Sequence, residues 1–166
     1  MTMKSKIGPL FIIILSSLFF SCTKTEDVEL NGYFRDLEPL IDMSQTNQYN
    51  ESLLCNTWIL SKVIRETYVD GVLTDAEDET ESWSKMEYTF RKDHSMSYGG
   101  SNGRWLYTHN HLIWKCTGGY VYEVTKAGLG VLHLKQEVYP DGGSFTPFLK
   151  DKSGKHYFWV FQFKAK

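Results

Sequence analysis

Turn-forming residues recur along this chain from Trp58 onward, at intervals of mostly about 8 to 12 residues. The turn signals are Asp70-Gly71, Lys92-Asp93, Gly99 to Gly103, His109-Asn110, Gly118-Gly119, Ala127-Gly128, Asp141 to Gly143 and Asp151 to Gly154. Such close spacing leaves room for short strands, and no long helical period interrupts it. The pattern therefore predicts an all-β sandwich or barrel.

The segments between these turns are rich in β-branched and aromatic residues, and several alternate apolar with polar side chains. In the last segment Tyr157, Trp159, Phe161 and Phe163 share one face, which we expect to be buried. The predicted strands are 57–69, 85–91, 95–98, 104–108, 111–117, 120–126, 130–139 and 155–165, with an extra ribbon at 144–149. Consecutive antiparallel strands of this number predict an up-and-down barrel of eight to nine strands. The acidic insertion from Leu73 to Trp83 is expected to be a solvated loop.

The first 21 residues have the organisation of a secretory signal. Lys4 and Lys6 precede an apolar run that is too short to span a bilayer, and Ser21 stands just before Cys22. The pattern resembles the signal of a bacterial lipoprotein. That resemblance implies removal of residues 1–21, acylation of Cys22, and attachment through this lipid to the outer membrane, on its periplasmic or cell-surface side. An ordinary secretory signal with an incidental cysteine is the alternative.

Residues 22–52 are polar and contain many Asn and Gln residues, which predicts a lipidated tether with one short helix around Ser44 to Leu54. Loss of Lys4 and Lys6 with the signal leaves 16 basic and 20 acidic side chains. Neither this balance nor any basic cluster favours nucleic acid as a partner.

Three short motifs resemble the lipocalin-like domain of bacterial surface and periplasmic lipoproteins. They are the opening strand around Trp58, the hairpin sequence from Tyr88 to Ser95, and the Gly-x-Trp strand from Gly103 to Tyr107. The resemblance covers residues 53–166 and implies an eight-stranded barrel with room for a small hydrophobic ligand. It also implies that Trp58 closes one end of the barrel as a buried structural residue.

Cysteine and histidine leave several alternatives open. Cys55 and Cys116 are either a disulfide or two buried free thiols. His109 and His111 have a spacing that metal sites use, but we expect them to be exposed turn residues, and no metal or cofactor is expected. The sequence contains no nucleophile elbow and no phosphate-binding loop, so we expect a binding protein and not an enzyme.

Aromatic residues make up 15% of the chain and supply the candidate ligand site. The candidate lining residues are Tyr88, Trp105, Tyr107, Trp114, Tyr122, Trp159 and Phe161. Close packing favours an interior that is filled or only narrowly open. The alternative function is a cell-surface adhesion or assembly subunit with a filled barrel, which contacts a protein or glycan through exposed rings such as Trp83, Tyr98 and Phe145.

Overall fold

Short strands joined by tight turns make up most of the computed structural model, which describes residues 32–139 and 153–166. Within these residues there are nine strands: β1 (Thr57–Val69), β2 (Val72–Asp78), β3 (Glu87–Phe90), β4 (Ser95–Tyr98), β5 (Ser101–Thr108), β6 (His111–Lys115), β7 (Gly119–Gly128), β8 (Val131–Val138) and β9 (Lys155–Ala165). Strand β1 and strands β3 to β9 pair antiparallel in sequence order, and β9 pairs back onto β1. This pairing closes an eight-stranded barrel and confirms the predicted fold class. The proposed ribbon at 144–149 and the signal region with Cys22 lie outside the described residues.

The two ends of the barrel are defined by the turns that they carry. The base is the end at which β1 begins, and it contains the turns at 91–94, 109–110 and 129–130. The rim is the opposite end, with the turns at 99–100 and 116–118 and the connection 79–86. Because neighbouring strands alternate in direction, each hairpin turn can be assigned to one end from the strand order, which also places the Asp70-Gly71 hairpin at the rim end of β1. The connection 79–86 joins two strands that are not neighbours, and it belongs to the rim because Trp83 lies beside Tyr98 and Tyr120.

Inward-facing side chains of all eight barrel strands form one apolar core. Trp159, Phe161 and Phe163 on β9 are buried in it, as the alternation predicted, and Tyr157 on the same face is half-buried. Trp58 is 1% exposed, and its indole Nε1 donates a hydrogen bond to the Leu54 carbonyl oxygen at 2.8 Å. The expected burial of Trp58 is therefore confirmed.

The acidic insertion from Leu73 to Trp83 is mainly a strand and not the expected loop. Strand β2 pairs with the second half of β1 through a hairpin at Asp70-Gly71, and a 3-10 turn follows at Thr80–Ser82. All seven residues of β2 are exposed. Backbone hydrogen bonds hold this strand without an apolar face, so its side chains show none of the alternation by which strands are recognised.

Residues 33–53, which we call the strap, lie along the outside of the barrel. Phe34, Leu37 and Ile41 are buried and pack in a second apolar cluster against Leu106, Ile113 and Val121 of β5, β6 and β7. The sequence had predicted a polar tether here. Burial of these three apolar side chains removes them from water and so favours contact with the barrel wall. Hydrogen bonds also hold the strap, such as the one from the Asn110 backbone N–H to Asn47 Oδ1 at 2.8 Å.

Helical structure in the strap is limited to two 3-10 segments, Arg35–Leu40 and Glu51–Leu53. The predicted helix around Ser44 to Leu54 is thus reduced to its last turn, which is capped by the side chain of Asn50. Ser44 caps no helix, because its backbone N–H and its hydroxyl both donate to Asp42 Oδ1, at 3.1 and 2.7 Å. No helix among the described residues is long and apolar enough to cross a membrane.

Candidate ligand cavity

An aromatic cavity of about 140 Å³ lies inside the rim half of the barrel. Its lining residues are Trp83, Met86, Tyr88, Tyr98, Trp114, Tyr120, Tyr122, Leu134, Phe161 and Phe163. The four residues nearest the rim, Trp83, Met86, Tyr98 and Tyr120, are half-buried, whereas the deeper ones are buried. The cavity therefore opens toward the rim.

The cavity walls are built from ring pairs on neighbouring strands. Trp114 stacks on Tyr122 with centroids 4.7 Å apart, and Tyr88 stacks on Tyr98 at 4.5 Å. Each stacked pair joins two residues that face inward on adjacent paired strands. Because both partners are also fixed by the sheet register, the walls are ordered before any ligand arrives.

Trp83 reaches the cavity from the connection between β2 and β3. Its ring meets Phe161 edge to face at 5.0 Å and Trp159 at 5.4 Å. The connection is tied to β1 at this point, since Thr80 Oγ1 accepts a hydrogen bond from the Val63 backbone N–H at 3.0 Å. Trp83 thus forms one side of the opening, where a bound molecule would contact its ring.

Tyrosine hydroxyls supply the polar groups of the cavity. Burial raises the pKa of Tyr88, with smaller contributions from the neighbouring Tyr98 and Tyr120. Burial likewise raises the pKa of Tyr122 well above its ordinary value. Both hydroxyls therefore stay neutral at physiological pH. The Tyr88 hydroxyl lies 3.6 Å from the Met86 sulfur, and the Tyr88 side chain is also hydrogen-bonded to Tyr98.

The structure divides the predicted ligand residues between two levels of the barrel. Tyr88, Trp114, Tyr122 and Phe161 line the cavity. Trp105 and Tyr107 lie below it in the base half, and Trp159 does not line it but contacts Trp83 beside the opening.

Trp105 and Tyr107 belong to the filled base half of the barrel. The Trp105 indole Nε1 donates to the Arg91 carbonyl oxygen at 2.9 Å, and the Tyr107 hydroxyl donates to Asn110 Oδ1 at 2.8 Å. Both residues are almost completely buried. Their polar atoms are therefore bonded to the turns that close the base, which indicates a structural role.

The lining residues that were not predicted are Trp83, Met86, Tyr98, Tyr120, Leu134 and Phe163. Simple alternation would have included several of them, since Tyr98 shares its face with Met96, Tyr120 with Tyr122, and Phe163 with Phe161. Trp83 and Met86 lie in a connection, where no strand periodicity applies. The fold alone brings those two side chains to the opening.

Among the described residues, the histidines and cysteines do not form a second site. His111 is 2% exposed and not an exposed turn residue, because the strap crosses the outer face of β6. Burial lowers its pKa, and its Nδ1 lies 2.6 Å from the His109 carbonyl oxygen. In the part of the chain that the structure describes, no three His, Cys, Asp or Glu side chains come together to hold a metal ion. Cys55 and Cys116 are free thiols at opposite ends of the barrel, one before β1 and one after β6.

A second concavity of about 310 Å³ lies on the outer wall, between Gln45 of the strap and the tip of the β1–β2 hairpin. Lys135 in this groove donates to Glu66 Oε2 at 2.8 Å and to the Tyr68 hydroxyl at 2.9 Å. Burial opposes the charge of Lys135, but these hydrogen bonds outweigh it and raise its pKa. The ammonium group also lies 4.5 Å from the centre of the Phe158 ring. The cation in the groove is therefore already paired within the protein.

In comparisons with known proteins, the chain matches no family model, no characterised protein and no solved structure. Its barrel is established by its strand pairing, and its resemblance to lipocalin-like lipoproteins stays a prediction from its sequence motifs.

Proposed function

We propose that this protein is a membrane-anchored, lipocalin-like binding protein that holds one small, mainly apolar molecule in the rim half of its barrel. The observation that carries the proposal is the cavity between Trp114, Tyr122 and Phe161, which is lined by aromatic rings and opens at the rim. Concave apolar sites with a few polar groups are the usual form of small-molecule sites. The proposal does not involve catalysis.

The volume of the cavity restricts the size of the ligand. Pockets for drug-sized molecules occupy roughly 300 to 1,000 Å³, whereas a cavity of about 150 Å³ in another protein takes up benzene. The 140 Å³ available here suits a single aromatic ring with one or two small substituents. A long acyl chain or a sterol would require the walls to move.

The chemistry of the walls favours a phenol-like ligand. The rings of Trp114 and Phe161 offer apolar faces and edges, while the hydroxyls of Tyr88 and Tyr122 stay protonated. A ligand hydroxyl would exchange hydrogen bonds with such groups by replacing partners that they have within the protein. We therefore place p-cresol among the best small probes and expect a submillimolar Kd, about −5 kcal/mol, for its binding.

Isothermal titration of p-cresol into the soluble chain that begins at Thr23 tests this proposal. The wild-type barrel should bind one equivalent saturably. Leu134→Phe extends a ring into the cavity and should abolish binding, whereas Leu134→Ala enlarges the cavity and should shift the preference toward the bicyclic 2-naphthol. Leu129→Phe is the matched control, because Leu129 lies fully exposed on a base turn.

Binding that is non-saturable, or that is unchanged in Leu134→Phe, would contradict the ligand proposal. The protein would then fit better as a cell-surface adhesion or assembly subunit. One observation favours that second function, since the interior of the base half is filled by side chains.

The anchor has its own test. Cys22→Ala removes the residue that resembles an acylation site, and it should move the protein from the membrane fraction to the soluble fraction. Stable attachment needs two or more acyl chains, and the polar segment that follows Cys22 offers no apolar substitute. If Cys22→Ala stays on the membrane after a salt wash, the lipoprotein interpretation is wrong.

A further inference from the structure

We propose that the barrel lies with its rim against the surface of a neutral lipid bilayer, so that the cavity opens toward the membrane. The inference rests on the lipid anchor put forward under the proposed function, and it adds an orientation. Three independent features carry it: where the strap begins, how far Cys22 can lie from that point, and which side chains surround the opening.

The strap begins at the rim and not at the base. Lys115, the last residue of β6, donates to the Tyr33 carbonyl oxygen at 2.9 Å and to Asp36 Oδ1 at 2.6 Å. Leu37 packs directly on Gly119, the first residue of β7. The end of β6 and the start of β7 flank a rim turn. The chain therefore joins the barrel at the end where the cavity opens.

The covalent distance from the anchor to this point is short. Ten residue steps separate Cys22 from Gly32, where the described chain begins. A fully extended segment of that length spans at most about 35 Å, and any less extended conformation is shorter. The ten residues of β7 cover about 30 Å along the strand, and the tilt of barrel strands makes the height from rim to base shorter. The base could touch the bilayer only if most of the tether ran extended along the barrel wall, whereas the rim can touch it with the tether in any conformation.

Several partly exposed aromatic side chains lie at the rim. They include Tyr33 of the strap, Trp83 of the β2–β3 connection, Tyr98 and Tyr120 at the rim ends of β4 and β7, and Tyr139 just after β8, whereas in the base half Tyr49 of the strap is half-buried. Trp and Tyr are the residues that prefer the boundary between lipid and water, because they combine an apolar ring with a polar tip. The large exposed apolar residues of the base, Leu53 and Leu129, are aliphatic.

The charges near the opening decide which lipid surface fits. The connection that contains Trp83 carries Glu79, Glu81 and Lys85, so its formal net charge is −1, and Glu87 at the start of β3 is paired with Lys166 at 3.1 Å. An anionic lipid surface would therefore gain no attraction from these charges, and a zwitterionic surface would meet no repulsion. The proposed partner is accordingly a neutral bilayer of phosphatidylethanolamine and phosphatidylcholine, contacted by the aromatic rings.

Fluorescent labels at the two ends of β7 test the orientation. In the lipidated full chain carrying Cys55→Ala and Cys116→Ala, Thr117→Cys places a single label on a rim turn and Leu129→Cys places it on a base turn. Both native residues are exposed, so both labelled variants should fold, which a thermal melt checks. Each protein is reconstituted into neutral vesicles that contain nitroxide-labelled lipid, and the quenching of a nitrobenzoxadiazole dye is measured.

We expect quenching at position 117 to be severalfold stronger than at position 129, and to weaken when anionic phosphatidylglycerol replaces part of the neutral lipid. Equal quenching, or stronger quenching at 129, would overturn the proposal. The proposal would also be overturned if the dye at position 117 were shielded from water in native membranes but not quenched in pure vesicles, because that result indicates a protein partner.

Failure of the parent proposals would be seen separately. A missing anchor would appear as failure of the protein to float with the vesicles, and a missing ligand site as a flat p-cresol titration of the soluble chain. A barrel that floats and binds p-cresol but shows equal quenching at both ends would refute the orientation alone.

Discussion

Phe34→Ala should destabilise the protein strongly, although Phe34 lies far outside the barrel core in the sequence. Phe34 is completely buried between the strap and the outer wall, where it packs with Leu106, Ile113 and Val121. Truncation of a buried Phe typically costs about 3 to 5 kcal/mol. The strap can partly collapse into the space, so we expect a loss near the lower limit, about 3 kcal/mol.

For a chain of this size, that loss corresponds to a fall in Tm of roughly 6 to 12 °C. Urea unfolding of the soluble chain, followed by tryptophan fluorescence, measures the free energy directly, and the m-value should change little because the barrel still unfolds as one unit. Tyr33→Ala is the matched control. Tyr33 is 47% exposed, so its truncation should cost less than about 1 kcal/mol. Equal, small effects of the two substitutions would show that the strap is a loose tether.

Two further changes probe other parts of the fold. Gly103→Ala should lower the free energy of unfolding in urea by at least about 3 kcal/mol, because an added Cβ would lie 1.9 Å from the Lys115 carbonyl oxygen. Gly118→Ala is the control and should be nearly neutral, because its added Cβ would meet side-chain atoms no closer than 3.6 Å. Similar effects of the two substitutions would contradict the register of β5 and β6. Burial lowers the pKa of His111, so below about pH 6.5 this side chain binds a proton more readily in the unfolded chain than in the folded one. The contribution of neutral His111 to the free energy of unfolding should therefore be complete above about pH 6.5 and decrease as the pH falls below it. The unfolding midpoint should fall between pH 7.5 and pH 5.5, and this fall should be smaller in His111→Gln than in the wild type or in His109→Gln. An equal fall in His111→Gln and the wild type would show that the His111 imidazole is not the group responsible.

The barrel was predictable because most of its strands, apart from β5 to β7 beneath the strap, are buried mainly on one face. Inward positions such as Trp159 and Phe161 alternate with more polar ones, and that period of two survives in the sequence. Strand β2 was not predictable, since both of its faces are in water. The strap was missed for a different reason. Phe34, Leu37 and Ile41 recur at steps of three and four residues, which is a helical signal, but it is short and surrounded by polar residues.

The candidate site was only partly predictable. Alternation identifies inward aromatic residues, yet it does not say at which level of the barrel each one lies. Trp105 and Trp114 are direct cross-strand partners, but Trp114 lines the cavity and Trp105 packs toward the base. Barrel strands are tilted, so residues that pair across a sheet step along the barrel axis from strand to strand. Register and tilt are tertiary properties, and the position of Trp83 depends on them as well.

The location of a bound ligand tests the central claim most directly. Crystals of the soluble chain grown with 4-bromophenol would show the bromine by anomalous scattering. We predict one strong peak inside the rim half of the barrel, within contact of Trp114, Tyr122 and Phe161, and no peak at that position in Leu134→Phe. An empty interior in the wild-type crystals at saturating 4-bromophenol, or bromine found only in the outer groove beside Lys135, would contradict the proposed ligand cavity.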